Sequence, residues 1–299
     1  MTVAVAGASG FIGNAVVSML RAHGHRVVAL GRNPGSMMFP HEVERRRFDP
    51  NDAEPNPAAF EGADAVVNLS GESIAGRWNA KKKAAIAASR IDGTDRLVAG
   101  IAACAKKPQV LVSASAVGYY GDRGDERLLE DSAPGNDFLA GVCARWEASA
   151  KKAATLGVRV VAMRFGVVLG DGGALEKMKL PFALGLGGPM GSGRQFLPWI
   201  HLDDLASLCR FVLESSQISG AVNVAAPDET TNARLAHALG AALHRPAFVP
   251  APSFALRAVL GEFADTLLAS QRVIPAVARD AGFQWTYPQL EPALRALVR

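Results

Sequence analysis

The chain has few of the residues on which disulfide-stabilised proteins and zinc sites depend. Among its 299 residues there are three cysteines, and they lie far apart at Cys104, Cys143 and Cys209. No C-x-x-C pair occurs, so neither a disulfide framework nor a metal site is indicated. Free cysteines in this number are typical of a reducing compartment, and we expect a cytoplasmic protein.

Long hydrophobic runs are also missing. Although 49% of the residues are hydrophobic, no run reaches the roughly 18 apolar residues that a membrane span requires. An apolar strand pattern begins directly after Met1, which leaves no room for a signal peptide. We therefore expect no membrane partner. The apolar content is sufficient for one large α/β domain, or for a domain with a smaller lobe.

Positive charge is in small excess, with a formal net charge of +4. Basic clusters are dispersed at residues 45–47, 81–83, 106–107 and 151–152, and aromatic residues do not alternate with them. This distribution is typical of solvated surfaces rather than of a nucleic-acid interface, so no nucleic-acid partner is predicted. A mildly basic protein also suits ligands that carry phosphate.

Apolar strand patterns alternate with helix patterns through the first 165 residues. The strand patterns cover residues 2–6, 26–30, 65–69, 109–114 and 158–164, and the helix patterns cover residues 11–23, 79–105 and 138–155. Such alternation predicts parallel strands joined by right-handed crossovers. The expected fold is therefore an α/β protein with a doubly wound parallel (Rossmann) sheet, whose ligands bind beyond the carboxyl ends of the strands.

The first strand runs into a G-x-x-G-x-x-G stretch and then into an amphipathic helix. Gly7 permits a sharp turn, Gly10 permits close approach of backbone to a pyrophosphate, and Gly13 permits close packing of helix on sheet. The helix N-terminus then attracts the phosphates. A turn without any ligand is the alternative interpretation. The predicted phosphate-binding residues are Gly7, Ser9, Gly10, Phe11, Ile12 and Gly13.

The end of the second strand bears on which dinucleotide binds. An NAD site usually has an Asp or Glu there, which accepts from the ribose 2′-OH, whereas this strand ends in Leu-Gly-Arg-Asn. No acidic residue follows before Glu42. Arg32 can pair with a 2′-phosphate through a charge-assisted hydrogen bond, so NADP (NADPH) is favoured over NAD. The alternative is that Arg32 is an ordinary surface arginine.

Several further motifs together carry a family resemblance that covers nearly the whole chain. They are VAGASGFIG at 5–13, NLSGE at 68–72, GRWN at 76–79, SR at 89–90, SASAVGYYG at 113–121, FLA at 138–140 with Glu147, RFGVVL at 164–169, WIHLDD at 199–204 and GE at 261–262. The chain resembles the extended type of the short-chain dehydrogenase/reductase superfamily. It is most similar to the atypical, YfcH-like "epimerase family protein" branch.

The resemblance implies further cofactor contacts at the carboxyl ends of the strands. It implies that Asp49 reaches the adenine amino group after the third strand, and that Leu69, Ser70 and Gly71 line the adenosine side. It also implies contacts from residues further along the chain. These additional cofactor-binding predictions are Arg90, Ser113, Arg164 and Gly166.

The chemistry of this superfamily uses a Tyr and a Lys four residues apart on one helix, where the ammonium lowers the tyrosine pKa. The chain has only three tyrosines, namely Tyr119, Tyr120 and Tyr287. Four residues after them stand Arg123, Gly124 and Glu291, in that order. No Y-x-x-x-K therefore occurs. Alignment through Glu147 puts Leu139 at the place of the Tyr and Cys143 at the place of the Lys. The family's Ser is retained as Ser115, and Arg90 replaces an Asn of the preceding helix.

Another group must replace the missing proton carrier if the protein is an enzyme. The candidate catalytic residues are Ser115, Cys143, Tyr119 and Tyr120, with Glu147 as a further substitute. Cys143 has a plain alternative as a small buried hydrophobe, although a nearby Arg90 would increase its thiolate character. One of the two tyrosines is expected to pack in the core. His201 is expected to have a structural role before a helix capped by Asp203 or Asp204.

Two classes of function follow. The first is an NADP-dependent oxidoreductase or epimerase-like enzyme that acts on an unidentified small molecule, and the retained Ser115 favours this class. The second is a catalytically weak NADP(H)-binding sensor or regulatory protein, and the absence of the Tyr and Lys favours this class. A homodimer is the expected assembly.

The domain organisation follows the same patterns. Residues 1–166 form the Rossmann dinucleotide-binding domain, to which residues 197–226 return. Residues 167–248 form substrate-side segments of a smaller lobe, and the glycine-rich loop at 185–193 is predicted to be a mobile flap. Residues 249–299 resemble a small helical C-terminal domain of unknown function.

Overall fold

The computed structural model describes residues 1–52 and 54–298. Its eleven described strands are β1 Thr2–Ala6, β2 Arg26–Gly31, β3 Glu44–Arg47, β4 Ala65–Asn68, β5 Val110–Ala116, β6 Arg127–Leu128, β7 Arg159–Phe165, β8 Val167–Gly170, β9 Trp199–His201, β10 Gly220–Val224 and β11 Arg272–Val273. Seven of them form one parallel sheet in the order β10-β7-β5-β4-β1-β2-β3. The predicted doubly wound parallel sheet is confirmed.

Helices cover both faces of this sheet. In chain order the described helices are α1 Phe11–Ala22, α2 Ala80–Ala103, α3 Phe138–Lys151, α4 Gly173–Ala183, α5 Leu202–Glu214, α6 Asn232–Ala242, α7 Ser253–Leu260, α8 Phe263–Leu268, α9 Ala276–Asp280 and α10 Leu290–Leu297. The helices α1 and α5 pack together on one face, and α2 and α3 pack together on the other. No helix in the part of the chain that the structure describes is long and apolar enough to cross a membrane.

The alternation of side chains along β1 explains the two cores. Val3 and Val5 belong to the cluster that holds the buried residues of α1 and α5, whereas Ala4 and Ala6 belong to the cluster on the α2 side. Both faces of the strand are buried, as expected for a parallel sheet covered by helices. The edge strand β3 reads Glu-Arg-Arg-Arg and alternates between half-buried and exposed, so it lacks an apolar pattern.

Two small sheets join the later segments to the central one. The strands β8 and β9 pair with each other, and β6 pairs with β11 from the C-terminal region. The strand β10 pairs with β7, so the chain returns to the central sheet after β9 and α5. The sequence patterns did not indicate β11, since a two-residue strand has no periodicity.

The glycine-rich loop at 185–193 is paired with another segment of the chain. The Val249 amide donates to the Gly187 carbonyl at 3.1 Å, and the Ala251 amide donates to the Pro189 carbonyl at 2.8 Å. The Gly191 amide returns a 2.8 Å hydrogen bond to Ala251. Opening of a flap here would therefore have to move residues 249–251 as well, or break these bonds.

The helix α5 is capped differently from the prediction. Its N-cap is His201, whose Nδ1 accepts a 3.1 Å hydrogen bond from the Asp203 amide. Asp203 and Asp204 lie in the first turn instead. The Asp204 carboxylate accepts the Thr286 and Tyr287 amides at 2.7 and 2.9 Å, and thereby holds the C-terminal region against α5.

Candidate cofactor site and active site

The turn between β1 and α1 has the geometry of a phosphate-binding loop. Gly7 has a φ of +77°, and a Cβ there would lie 2.9 Å from the Leu69 carbonyl carbon. The Gly10 amide donates a 3.0 Å hydrogen bond to the Gly7 carbonyl. A Cβ on Gly13 would lie 2.1 Å from that same carbonyl oxygen, so only glycine lets α1 pack this close to the strand.

The N-terminus of α1 is open. Gly10 is the N-cap and offers no capping side chain, and the first turn contains no acidic residue. Ser9 and Gly10 are exposed, while Phe11 and Ile12 are half-buried. The first amides of a helix have no intrahelical acceptor, so these groups are free to bind an anion at the positive end of the helix dipole.

One contact at this turn was not apparent from the sequence. The Phe11 ring lies against the glycine-rich turn between β8 and α4. A Cβ on Gly170 would lie 2.7 Å from this ring, and a Cβ on Gly173 would lie 2.9 Å from it. The phosphate loop is thereby joined to the segment that leads into the smaller lobe.

Arg32 lies just beyond β2, beside the open turn. Its side chain is exposed and makes no hydrogen bond or ion pair within residues 1–52 and 54–298. Its charge acts on Glu72, whose pKa is lowered first by the hydrogen bond from Lys82 and to a smaller extent by Arg90 and Arg32. Arg32 is therefore free to pair with an added anion.

The residues predicted to line the adenosine side lie at the ends of β3 and β4. Asp49 is half-buried, and its Oδ1 accepts the Asn51 amide at 3.0 Å in a local turn. Leu69 and Ser70 are half-buried and Gly71 is exposed. These residues flank the same carboxyl edge as the phosphate loop, because β4 and β1 are neighbours in the sheet.

Arg90 lies across the loop that follows β4. Its Nη1 donates to the carbonyls of Glu72 at 2.9 Å and Ile86 at 3.2 Å. The guanidinium carbon lies 5.1 Å from the centre of the Trp146 ring. Burial lowers the Arg90 pKa, against the opposing effect of Cys143 and Glu72. The structure thus gives Arg90 a definite internal role, which is to hold the loop against α2 and α3.

Ser115 is part of a buried polar chain at the position of the family's catalytic group. It is 2% exposed, and its Oγ donates a 2.6 Å hydrogen bond to Oε1 of Glu147 on α3. Arg164 on β7 donates to both oxygens of that carboxylate, from Nε at 2.8 Å and from Nη2 at 2.9 Å. Ser113, two residues earlier on β5, is 1% exposed.

Arg164 was predicted to contact the cofactor, and the structure corrects this prediction. The side chain is only 3% exposed, and its Nη1 donates to the Tyr120 hydroxyl and the Glu130 carbonyl, both at 2.9 Å. Burial opposes the charge, but the hydrogen bonds that Arg164 donates to Glu147 and Tyr120 outweigh burial and raise the Arg164 pKa. The guanidinium is committed to internal partners. Gly166 packs closely as well, since a Cβ there would lie 2.8 Å from the Pro198 carbonyl oxygen.

Tyr120 was a candidate proton donor, and it belongs to the core instead. It is fully buried, with its hydroxyl 2.6 Å from Asn223 Oδ1 and 3.0 Å from the Leu129 carbonyl. Burial raises the pKa of Tyr120 to about 12, against the lowering effect of Arg164. One of the two tyrosines was expected to pack in this way. Tyr119 is half-buried, and the Arg164 guanidinium carbon lies 3.5 Å from its ring centre.

The same network reaches the C-terminal region. Oε1 of Glu130 accepts the amides of Asn223 and Val277, each at 3.1 Å. The Asn223 side chain donates to the Ile274 carbonyl at 2.9 Å. Burial raises the Glu130 pKa, although the backbone donors oppose this. Sequence reasoning missed Glu130 and Asn223, and the only signal was a single Asn within the apolar run at residues 221–226.

Cys143 is also a poor catalytic candidate. It is 4% exposed on α3, and burial together with Glu147 raises its pKa to about 12 despite the nearby Arg90. At neutral pH the thiol is therefore protonated and enclosed, which corresponds to the alternative of a small buried hydrophobe. Leu139, at the place of the family's Tyr, packs 3.6 Å from the position of a Cβ on Gly118.

These features define a class of protein, namely a dinucleotide-binding α/β fold with an open phosphate loop and an additional C-terminal region. The model of the NAD dependent epimerase/dehydratase family matches residues 3–225, and that of a domain of unknown function (DUF1731) matches residues 251–297. The chain therefore belongs to the NAD dependent epimerase/dehydratase family. The resemblance stated from the sequence motifs is confirmed.

Named relatives extend over the full length. The chain is 42% identical over 304 residues to epimerase family protein SDR39U1 of Mus musculus, which covers 100% of both chains. It is 37% identical over 303 residues to epimerase family protein YfhF of Bacillus subtilis, covering 100% of this chain and 98% of the other.

Two solved structures are also similar. The crystal structure of human epimerase family protein SDR39U1 (isoform 2) with NADPH has 39% identity and a TM-score of 0.90, and the match covers 100% of this chain and 99% of that one. A nucleoside-diphosphate sugar epimerase from Corynebacterium glutamicum has 34% identity and a TM-score of 0.81, with coverage of 100% and 58%.

Proposed function

We propose that the chain binds NADP(H) at the carboxyl edge of its sheet and transfers hydride to or from a small molecule. The observation that carries the proposal is the combination of an open α1 N-terminus with Arg32, a cation that has no ion-pair partner in the described chain. The human relative, crystallised with NADPH, supports the same choice of dinucleotide.

The residues present fit this cofactor. The first amides of α1 would hold the pyrophosphate, because Gly10 leaves no side chain in the way and no acidic group repels it. Arg32 would hold the 2′-phosphate through charge-assisted hydrogen bonds. When bound, the nicotinamide supplies or accepts the hydride. The chain's own residues would orient the substrate and carry the proton.

Tyr119 is the proton carrier that the geometry favours. It is half-buried, and its hydroxyl makes no hydrogen bond to any other described residue. The Arg164 guanidinium carbon lies 3.5 Å from the centre of its ring, so a buried cation faces this tyrosine. Of the other candidates named from the sequence, Tyr120 and Cys143 are enclosed, and the Ser115 proton is already donated to Glu147.

Ser115 is arranged as a hydrogen-bond acceptor. A hydroxyl has one proton to donate, and that of Ser115 is donated to Glu147. Because Ser115 is 2% exposed, its lone pairs can accept from a substrate hydroxyl only after the residues that cover it move. Donation to a substrate carbonyl would in addition require the bond to Glu147 to break. This arrangement suits an alcohol substrate that is being oxidised.

The direct test is calorimetry of the purified protein with NADPH and with NADH. We expect NADPH to bind at least about tenfold more tightly, since only NADPH offers the 2′-phosphate to Arg32. Equal affinities would contradict the assignment of NADP(H).

A second function, a catalytically weak NADP(H)-binding sensor or regulatory protein, rests on a specific observation. Most polar groups at the family's catalytic position are bonded to one another inside the protein. A screen of alcohols, carbonyl compounds and sugar nucleotides that shows NADPH binding without any turnover would favour this function.

A further inference from the structure

Large apolar side chains are exposed mainly on one part of the surface, at the edge of the smaller lobe. Six of the nine exposed large hydrophobic residues in the described chain lie within residues 180–193 and 246–260, and they are 61% to 76% exposed. We call these six the apolar face. They are Leu180, Leu184, Leu186, Phe248, Phe254 and Val259.

The two segments that carry the apolar face are joined to each other through their backbones. Backbone hydrogen bonds join residue 187 to residue 249 and residues 189 and 191 to residue 251, at 2.8 to 3.1 Å. Leu186 and Phe248 each lie one residue before the first of these pairs. Six large side chains that are about two-thirds exposed make an unusually large apolar area for the surface of a monomer.

The charges that immediately flank these two apolar segments are positive. No charged residue occurs within 180–193 or 246–256, and the residues that directly flank these runs are Lys179, Arg194, Arg245 and Arg257. The carboxylates next to them in the sequence include Glu262 and Asp265, which are paired with Lys83 and Arg257.

Two of the flanking cations have no partner of their own. Arg194 and Arg245 are exposed and make no ion pair within the described residues. Lys179 donates to the Leu297 carbonyl at 3.3 Å, and Arg257 forms an exposed ion pair with Asp265 at 2.8 Å. The cationic rim is therefore available to an anionic partner, most fully at Arg194 and Arg245.

We propose that the apolar face and its cationic rim attach the protein to the surface of an anionic lipid bilayer. Apolar side chains that enter the boundary between headgroups and acyl chains, with cations beside them, are the features that interfacial binding requires. A second copy of the chain is the less suitable occupant, because a symmetric contact would bring the two cationic rims together. The absence of long apolar runs led us to expect no membrane partner. This proposal departs from that expectation, because interfacial contact needs no such run.

Sedimentation with lipid vesicles tests this proposal. The protein is incubated with vesicles of phosphatidylcholine alone and of phosphatidylcholine mixed with phosphatidylserine. We expect binding to the anionic vesicles that weakens in high salt, and at least about tenfold weaker binding to the neutral ones. Absence of binding to the anionic vesicles, or equal binding to both, would overturn the proposal.

Variants separate the two parts of the surface. The double variant Phe248→Ser with Phe254→Ser, and the variant Arg194→Gln with Arg245→Gln, should each bind anionic vesicles at least about tenfold less. Met38→Ser is the control, since Met38 is 94% exposed after β2, outside the two segments of the apolar face, and its loss should change nothing. Unchanged binding by the Phe variant would overturn the assignment.

Two further measurements separate this proposal from other interpretations. NADPH affinity of the Phe variant should equal that of the parent protein, so the outcome does not depend on the cofactor assignment. Light scattering across a range of concentrations would reveal self-association. A dimer that the Phe variant abolishes, with no binding to vesicles, would assign the face to a second copy and reject the membrane.

Discussion

Two halves of the same sheet edge differ in how their polar groups are used. Around β1, β2 and β4 the groups face outward without partners, as the amides that begin α1 and the Arg32 guanidinium show. Around β5 and β7 the groups bond to one another, from Ser115 through Glu147 and Arg164 to Tyr120. The first half leaves its donors free for an anionic ligand, whereas the polar groups of the second half are bonded to one another inside the protein.

The difference teaches that binding and chemistry are separable in this fold. The phosphate loop needs only backbone amides and three glycines, which no change around β5 disturbs. The Tyr and Lys of the family are free, titratable groups, and here the equivalent residues Leu139 and Cys143 are apolar or enclosed. The free amides that begin α1 therefore do not depend on which residues occupy positions 139 and 143.

The largest expected effect comes from breaking the buried half. Replacing Glu147 with Ala would leave the Arg164 charge buried and unpaired, so we expect a loss of about 3–5 kcal/mol in the free energy of unfolding, measured by urea denaturation. The matched control is Glu126→Ala, which removes the exposed ion pair with Arg123 and should cost less than about 1 kcal/mol. Similar losses for the two variants would show that the buried pair is not structural.

The next effect concerns catalysis and depends on the discovery of a substrate. Tyr119→Phe should reduce turnover by about 10²-fold or more and leave NADPH affinity within about threefold, since only the proton carrier is removed. Cys143→Ser is the control, because an enclosed, protonated thiol has no part in this mechanism. Full turnover by the Tyr119 variant would show that Tyr119 is not the proton carrier. Loss of turnover in a Cys143 variant of normal stability would make the thiol a candidate again.

A smaller effect is expected on the open half. Arg32→Ala should weaken NADPH binding by about 1–3 kcal/mol and barely alter NADH binding, because only the 2′-phosphate loses its partner. Arg26→Ala is the control, since Arg26 is exposed at the other end of β2 and pairs with Glu44. Equal weakening of both cofactors by the Arg32 change would point to a general charge effect.

Local signals explain why the open half could be predicted from the sequence. The phosphate loop is encoded by the seven consecutive residues 7–13, and Arg32 follows a strand with a clear apolar pattern. The buried half is assembled from β5, β7, β10, α3 and the C-terminal region. One of its bonds joins residues that are 147 positions apart, namely Glu130 and Val277. No periodicity or spacing reports such pairs, so Arg164 and Tyr120 were predicted to face ligands that they do not face.

The junction with the C-terminal region gives the smallest effect. His201 caps α5 through Nδ1 and stacks on Tyr287, with ring centres 3.9 Å apart. Burial lowers the His201 pKa below its usual value, so the unfolded chain binds a proton more readily than the folded one. The resulting stability is fully present above the unfolded pKa of about 6.5 and is lost as the pH falls below it, by up to about 1.4 kcal/mol per pH unit.

A variant isolates this contribution. His201→Asn keeps a side-chain acceptor at the N-cap but cannot titrate, so its free energy of unfolding should decline less between pH 7 and about pH 5.5 than that of the parent protein. Denaturation of both proteins across this range gives the difference between their free energies of unfolding. Groups that both proteins share contribute to each profile. One of them is Asp204, whose pKa is raised by burial and whose contribution to stability has the opposite sign. Parallel pH profiles would show that proton binding by His201 does not govern this junction. A flatter profile for the variant would show that an acid-sensitive contact holds α5 to the C-terminal region.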